Sequence, residues 1–139
     1  MKKKLIFTML IFAVALVNAQ TVRQTDQYGS SVVYVGGSTL RSKDQYGDAL
    51  YYFDGRTIRR KDQYGDALYY IDGSTVRAKD QYGAALFYFD GKTIRRQDQY
   101  GEALYYINGQ KLNYKDQYGG SAYYFEGIPE KWVIVCLIR

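Results

Sequence analysis

The side chains best placed to do chemistry come in copies: the quartet Asp-Gln-Tyr-Gly begins at Asp26, Asp44, Asp62, Asp80, Asp98 and Asp116. Each copy offers a carboxylate, an amide that both donates and accepts hydrogen bonds, and a phenol ring with a flat apolar face. That set suits recognition of a hydroxylated partner better than bond breaking. The chain has no His, which removes the commonest general base and metal ligand. Its one thiol, Cys136, lies in an apolar run with no basic partner nearby and reads as a small buried hydrophobe. Catalytic constellations are built once, whereas these carboxylates recur at turn positions, so no catalytic residue is assigned and a non-enzymatic protein is expected.

Two further patterns bear on ligands. The spacing Asp62-x-x-x-Asp66, repeated by Asp44 and Asp48, could suggest a calcium loop. The second position becomes Ser30, Ala84 and Gly120 in other copies, which leaves too few charged oxygens for a six- to eight-coordinate ion. Each Asp is therefore expected to accept backbone N–H groups of its own turn, with no metal or other cofactor. Tyr52 with Arg59, and Tyr70 with Arg77, interleave aromatic and basic groups, as a stacking surface would and as ordinary cross-strand cation–π packing also would.

The elements that carry these residues follow from the period. The sequence repeats every 18 residues, and Thr21-Val22-Arg23 resembles the second half of a unit, so the array begins half a repeat early. A short fixed period implies units that pack mainly on their neighbours. Within a unit a β-branched and aromatic run such as ALYYF precedes a turn dipeptide and a second run such as RTIRRK. The dipeptides Gly36-Gly37, Asp54-Gly55, Asp72-Gly73, Asp90-Gly91 and Asn108-Gly109 suit type I′ hairpins. One hairpin is marginal in water, so the units are expected to join through DQYG into a single antiparallel meander.

Side-chain alternation then sets the register. A four-residue DQYG loop, with its Gly in the left-handed region, keeps Tyr51, Tyr69, Phe87 and Tyr105 on one face with Ile58, Val76 and Ile94. A three-residue loop would flip alternate units. Face one carries Ala49, Tyr51, Phe53 and Ile58 and is the expected core; face two carries Leu50, Tyr52, Thr57, Arg59 and Lys61.

An open sheet of this size would leave face one wet, so it must curl into a barrel-like or superhelical form. The expected class is all-β, capped by residues 128–139. There the apolar run Trp132 to Ile138 suits a buried closing strand; a short helix begun by Pro129 and laid on the concave face is the alternative.

Lys2, Lys3 and Lys4, the apolar stretch Leu5 to Leu16 and the small residues before Gln20 have the pattern of a secretory signal over residues 1–19. That stretch is shorter than a bilayer span requires. Residues 20–127 then form the repeat domain of an exported chain, periplasmic, at the cell surface or secreted, with no stable membrane insertion. Without the signal the formal charge falls from +5 to +2, with 16 basic against 14 acidic residues, too mild a balance to argue for nucleic acid.

YYFDG and FYFDG in a tandem hairpin array resemble the aromatic repeats of bacterial cell-wall-binding proteins of the choline-binding and toxin type. That resemblance implies a superhelix binding choline or glycan units between hairpins. The chain carries its only Trp, Trp132, outside the regular units, so an aromatic choline cage is not implied; an exported bacterial repeat family of its own would fit equally. The functional expectation is a binding module for a repetitive surface polymer such as a glycan or another cell-envelope polymer, against a structural or protein-interaction scaffold. A four-residue turn explains Asp and Gly but not Gln and Tyr. Local packing of each Tyr against the next turn is the preferred explanation. The other is a ladder in which Tyr28, Tyr46, Tyr64, Tyr82, Tyr100 and Tyr118 stack on sugars about 9–10 Å apart. In that ladder Gln45, Gln63, Gln81 and Gln99 would bind hydroxyls. Exposure of the tyrosines separates the two.

Overall fold

The computed structural model describes residues 19–138. Twelve strands follow one another: β1 (Ala19–Gln24), β2 (Ser31–Gly36), β3 (Thr39–Ser42), β4 (Ala49–Phe53), β5 (Thr57–Arg60), β6 (Ala67–Asp72), β7 (Thr75–Ala78), β8 (Ala85–Asp90), β9 (Thr93–Arg96), β10 (Ala103–Asn108), β11 (Lys111–Tyr114) and β12 (Ser121–Phe125). They form an antiparallel meander that closes into a barrel, with β12 paired to β1. The signal segment expected over residues 1–19 lies outside the described residues, apart from Ala19, which pairs with Gly36.

The early start of the array explains the closure. β1 is the second strand of a hairpin whose first strand is β12: Val22 sits opposite Phe125 and Arg23 opposite Tyr124, as Ile58 sits opposite Phe53 and Arg59 opposite Tyr52. The N-terminal half-unit thus completes the sixth unit, and no sheet edge is left open. A superhelix, which would leave both terminal edges free, is not formed.

The expected core face holds. Tyr51 is buried, Ile58, Val76 and Ile94 are fully buried, and Ile58, Val76 and Ile94 face Tyr69, Phe87 and Tyr105 across the strand pairs. The loop that sets this register is not the simple four-residue one. Strands β3 and β4 are joined by six residues, 43–48, and every junction between units carries a bulge. At one of them Leu40 faces Tyr51 while Arg41 faces Ala49, so Leu50 is the inserted residue and Ala49 leaves the core alternation. The Leu50 carbonyl is satisfied by the Lys61 N–H at 2.9 Å.

The tight turns also differ from expectation. Gly73 has φ +63 and its neighbour Asp72 pairs with Thr75. The two-residue loop is therefore Gly73-Ser74, one position later than the dipeptide Asp72-Gly73. A glycine at the first central position with φ > 0 is the type II′ arrangement, not type I′.

Residues 131–138 form a helix, α1 (Lys131–Ile138), rather than the favoured strand. A closed barrel offers no edge for another strand to pair with, and a segment apolar on every side is satisfied as a helix surrounded by core. Trp132, Val133, Ile134, Val135, Cys136 and Ile138 pack in one cluster with Val22, Val35, Leu40, Ile58, Ile94 and Phe125, so α1 fills the lumen. Trp132 stacks on Phe53 at 5.2 Å, and the Lys131 ammonium donates to the Gly73 carbonyl at 2.8 Å. The start of α1 therefore lies at the tight-turn end, while Cys136 and Leu137 lie beside Leu50 and Tyr51 toward the DQYG end.

Candidate functional site: the DQYG rim and the outer wall

The six DQYG turns are built alike. In each, the Gly N–H donates to the Asp carbonyl, as from Gly65 to Asp62 at 3.0 Å, closing a type I turn. The Asp carboxylate accepts the Tyr N–H at 2.9 Å in every copy. Asp is thus consumed by its own turn, as expected. The left-handed residue is not the Gly but the one before Asp: Thr25, Lys43, Lys61, Lys79, Gln97 and Lys115 have φ between 60 and 71. The Asp N–H reaches back across it, as from Asp62 to the Arg60 carbonyl at 2.8 Å, forming a γ-turn. Gly is required for another reason: a Cβ on Gly65 would lie 1.6 Å from the Arg60 carbonyl oxygen.

The turn is braced from the wall. On the outer face, Arg23, Arg41, Arg59, Arg77 and Arg95 each donate to the Gly carbonyl of the next turn at 3.1–3.3 Å. Buried Asn113 takes this place at the remaining junction, donating to Gln117 at 3.3 Å. Four of these arginines also pair with an acid: Arg23 with Glu126 at 2.9 Å, Arg59 with Asp54 at 3.2 Å, Arg77 with Asp72 at 3.6 Å and Arg95 with Asp90 at 3.3 Å. At Asp54, partial burial raises the carboxyl pKa, but hydrogen bonds from the Thr57 and Arg56 N–H groups and from Arg59 outweigh it and leave the pKa below the ordinary value. Arg59 and Arg77, singled out as ligand contacts, are therefore framework groups that hold a turn.

What the turns present to solvent is the remaining pair. Tyr28, Tyr46, Tyr64, Tyr82, Tyr100 and Tyr118 are 86–87% exposed, and Gln45, Gln63, Gln81 and Gln99 are exposed beside them. The preferred packing explanation for the invariant Tyr fails, because a ring with that much free surface packs on nothing. The straight ladder is also corrected: closure bends the row into a ring of six platforms, roughly 20–25 Å across if neighbouring turns are two strand spacings apart. Tyr52 and Tyr70, half-buried on the outer wall, sit opposite Arg59 and Arg77 on the adjacent strands, below the rim rather than on it.

One outer cleft gathers residues from both kinds of position. Gln27 and Tyr28 of the first turn, with Tyr124 of β12 and Glu126 just after it, line a volume of about 530 Å3. Tyr124 and Glu126 stand in the sixth unit where Tyr52 and Asp54 stand in the second, but that they face the first turn follows only from closure of the barrel. The half-repeat at Thr21 was the signal that could have located them. Among the described residues no group of three or more acidic, His or Cys side chains could hold a metal ion.

No curated protein and no solved structure matches the chain. Residues 21–127 match the family described as 6-fold beta flower protein, which bears out a repeat β protein and carries nothing specific to choline or cell-wall binding. Six hairpin units closed into one ring around a central helix fit that description, and the chain belongs to the 6-fold beta flower family.

Proposed function

We propose that the protein is an exported, non-enzymatic binding module for a repetitive glycan. The observation that carries this reading is the ring of tyrosines, all 86–87% exposed and held by turns of one geometry. Isolated exposed aromatics need no explanation, but six identical ones cost exposed apolar surface with no gain in packing. Aromatic faces stack on the C–H faces of sugar rings, and neighbouring Gln amides can both donate to and accept from hydroxyls. A ring of weak contacts also suits a polymer or a layered surface, where several sites engage together. Export rests on the composition of residues 1–19.

Retention on insoluble cellulose, xylan, chitin and peptidoglycan tests the reading. The double variant Tyr64→Ala/Tyr82→Ala is expected to lose about tenfold in retention with its melting temperature unchanged within about 2 °C. A wild-type protein retained by none of these polymers, with a double variant that melts much earlier, would show that the tyrosines serve the fold.

A further inference from the structure

We propose that the seam cleft lined by Gln27, Tyr28, Tyr124 and Glu126 is a subsite for an uncharged pyranose oligosaccharide, and that its occupancy clamps the barrel shut. This rests on the glycan-binding reading and assigns it a specific place.

The seam is the one strand pair in the ring whose two strands are not joined by a turn. At β12 the chain passes through Glu126 and Gly127 and into the lumen as α1, while its partner β1 is the first strand of the sheet. Three residue pairs set its register, Val22 with Phe125, Arg23 with Tyr124 and Gln24 with Tyr123, flanked by the Thr25 N–H on the Ala122 carbonyl, the Glu126 N–H on the Thr21 carbonyl and the Arg23–Glu126 ion pair. Local opening of a closed sheet costs least where no covalent connection limits separation. The cleft straddles that line: Gln27 and Tyr28 belong to the turn after β1, Tyr124 to β12 and Glu126 to the segment that follows it. A ligand touching all four contacts both ends of the sheet.

The lining also suggests the class of ligand. Two tyrosines offer aromatic faces, and a volume of about 530 Å3 is within the range of small-ligand sites. Glu126 is paired with Arg23 at 2.9 Å, so the wall of the cleft is close to neutral and gives an anionic sugar no unpaired cation to meet. The carboxylate keeps acceptor sites for hydroxyl donors, and the Gln27 amide supplies a donor and an acceptor. Glu126 is one methylene longer than Asp54, Asp72 and Asp90 at the corresponding wall positions, which carries its oxygens farther out toward a ligand.

The test pairs binding with amide exchange, using cellohexaose and xylohexaose as uncharged probes and a galacturonate hexamer as the charged one. The variant Gln27→Ala/Tyr28→Ala alters exposed side chains and should fold as wild type; Gln81→Ala/Tyr82→Ala is its match at an ordinary unit. With an uncharged hexaose bound, exchange of the seam amides of Thr25 and Glu126, which donate to Ala122 and Thr21, is expected to slow about tenfold or more. The central hairpin β6–β7 should change less. The seam variant should lose this protection and about tenfold in affinity, with the matched variant within about threefold of wild type. Equal losses in both variants, binding without seam protection, or binding of the charged hexamer alone would each overturn the inference. Retention of an insoluble polymer by wild type without hexaose binding, or with the seam variant binding as wild type does, would sink the seam site and leave the rim reading standing. Binding of neither polymer nor hexaose would overturn both.

Discussion

The two ends of the barrel keep their glycines for different reasons. At the tight-turn end Gly73 is needed for its backbone angle, φ +63, and a Cβ there would meet nothing within 4 Å. At the DQYG end Gly65 has no unusual φ, but a Cβ would overlap the Arg60 carbonyl. The first end is set by local conformation and receives the helix, through Lys131 on the Gly73 carbonyl and over the Phe89 ring. The second is set by backbone against backbone, braced by Asp from within and Arg from the wall. Its Gln and Tyr are therefore released from structural duty. A turn this constrained can display side chains without depending on them, which is what a recognition rim requires.

The comparison breaks most visibly if the helix is removed. Deleting residues 128–139 strips the lumen of Trp132, Val133, Ile134, Val135 and Cys136, all buried. At about 1.5–3 kcal/mol for each large apolar side chain, the loss is comparable with the whole stability of a typical domain. Aggregation and loss of the cooperative thermal transition are expected by calorimetry and size-exclusion chromatography; a soluble, folded truncation would show that the wall stands alone.

Next in size come the two glycines. Gly65→Ala should cost about 3–4 kcal/mol in urea unfolding, because the Cβ meets main chain that cannot turn aside. Gly73→Ala should cost about 1–2 kcal/mol, the left-handed penalty alone. Equal values would remove the distinction between the two ends. Asp62→Ala should cost about 1 kcal/mol by loss of the bond from the Tyr64 N–H, while Asp62→Asn, which keeps an acceptor, should cost less.

The smallest effect is the pH dependence at Asp54. Its folded pKa is depressed, so its contribution is present at neutral pH and is lost as pH falls through the ordinary carboxylate range, about 4, and below. The exposed setting keeps this small. Asp54→Asn should slightly flatten the acid limb of the stability curve between roughly pH 5 and 2; an unchanged limb would show that Arg59 and the turn amides do not favour the charged form.

Much of this architecture was legible because the repeat averages out local ambiguity. Copies of one alternating pattern fixed which of Tyr51 and Tyr52 faces inward, and the half-unit at Thr21 held the closure in plain view. The bulge at Leu50 and the γ-turn at Lys61 were not legible. Both are backbone adjustments in which Leu and Lys are ordinary residues, and a left-handed Lys leaves no compositional trace. Residues 132–138 misled because an apolar run carries no periodicity when every side is buried; only the closed sheet around it decides between strand and helix. The rim tyrosines could be located but not their exposure, since an invariant aromatic reads equally as packing or display.

The helix in the lumen also acts as a gauge of copy number. Tandem arrays readily gain or lose whole units by unequal duplication, and an open solenoid absorbs such changes one neighbour at a time. Here a seventh hairpin would widen the ring by about one sixth, and a helix of about 10–12 Å diameter would lose contact with part of the wall. A fifth-unit ring would have no room for it. The half-unit at the start must also still meet the half-unit at the end. The number of platforms at the rim is therefore tied to the bore of a barrel that one short helix must fill.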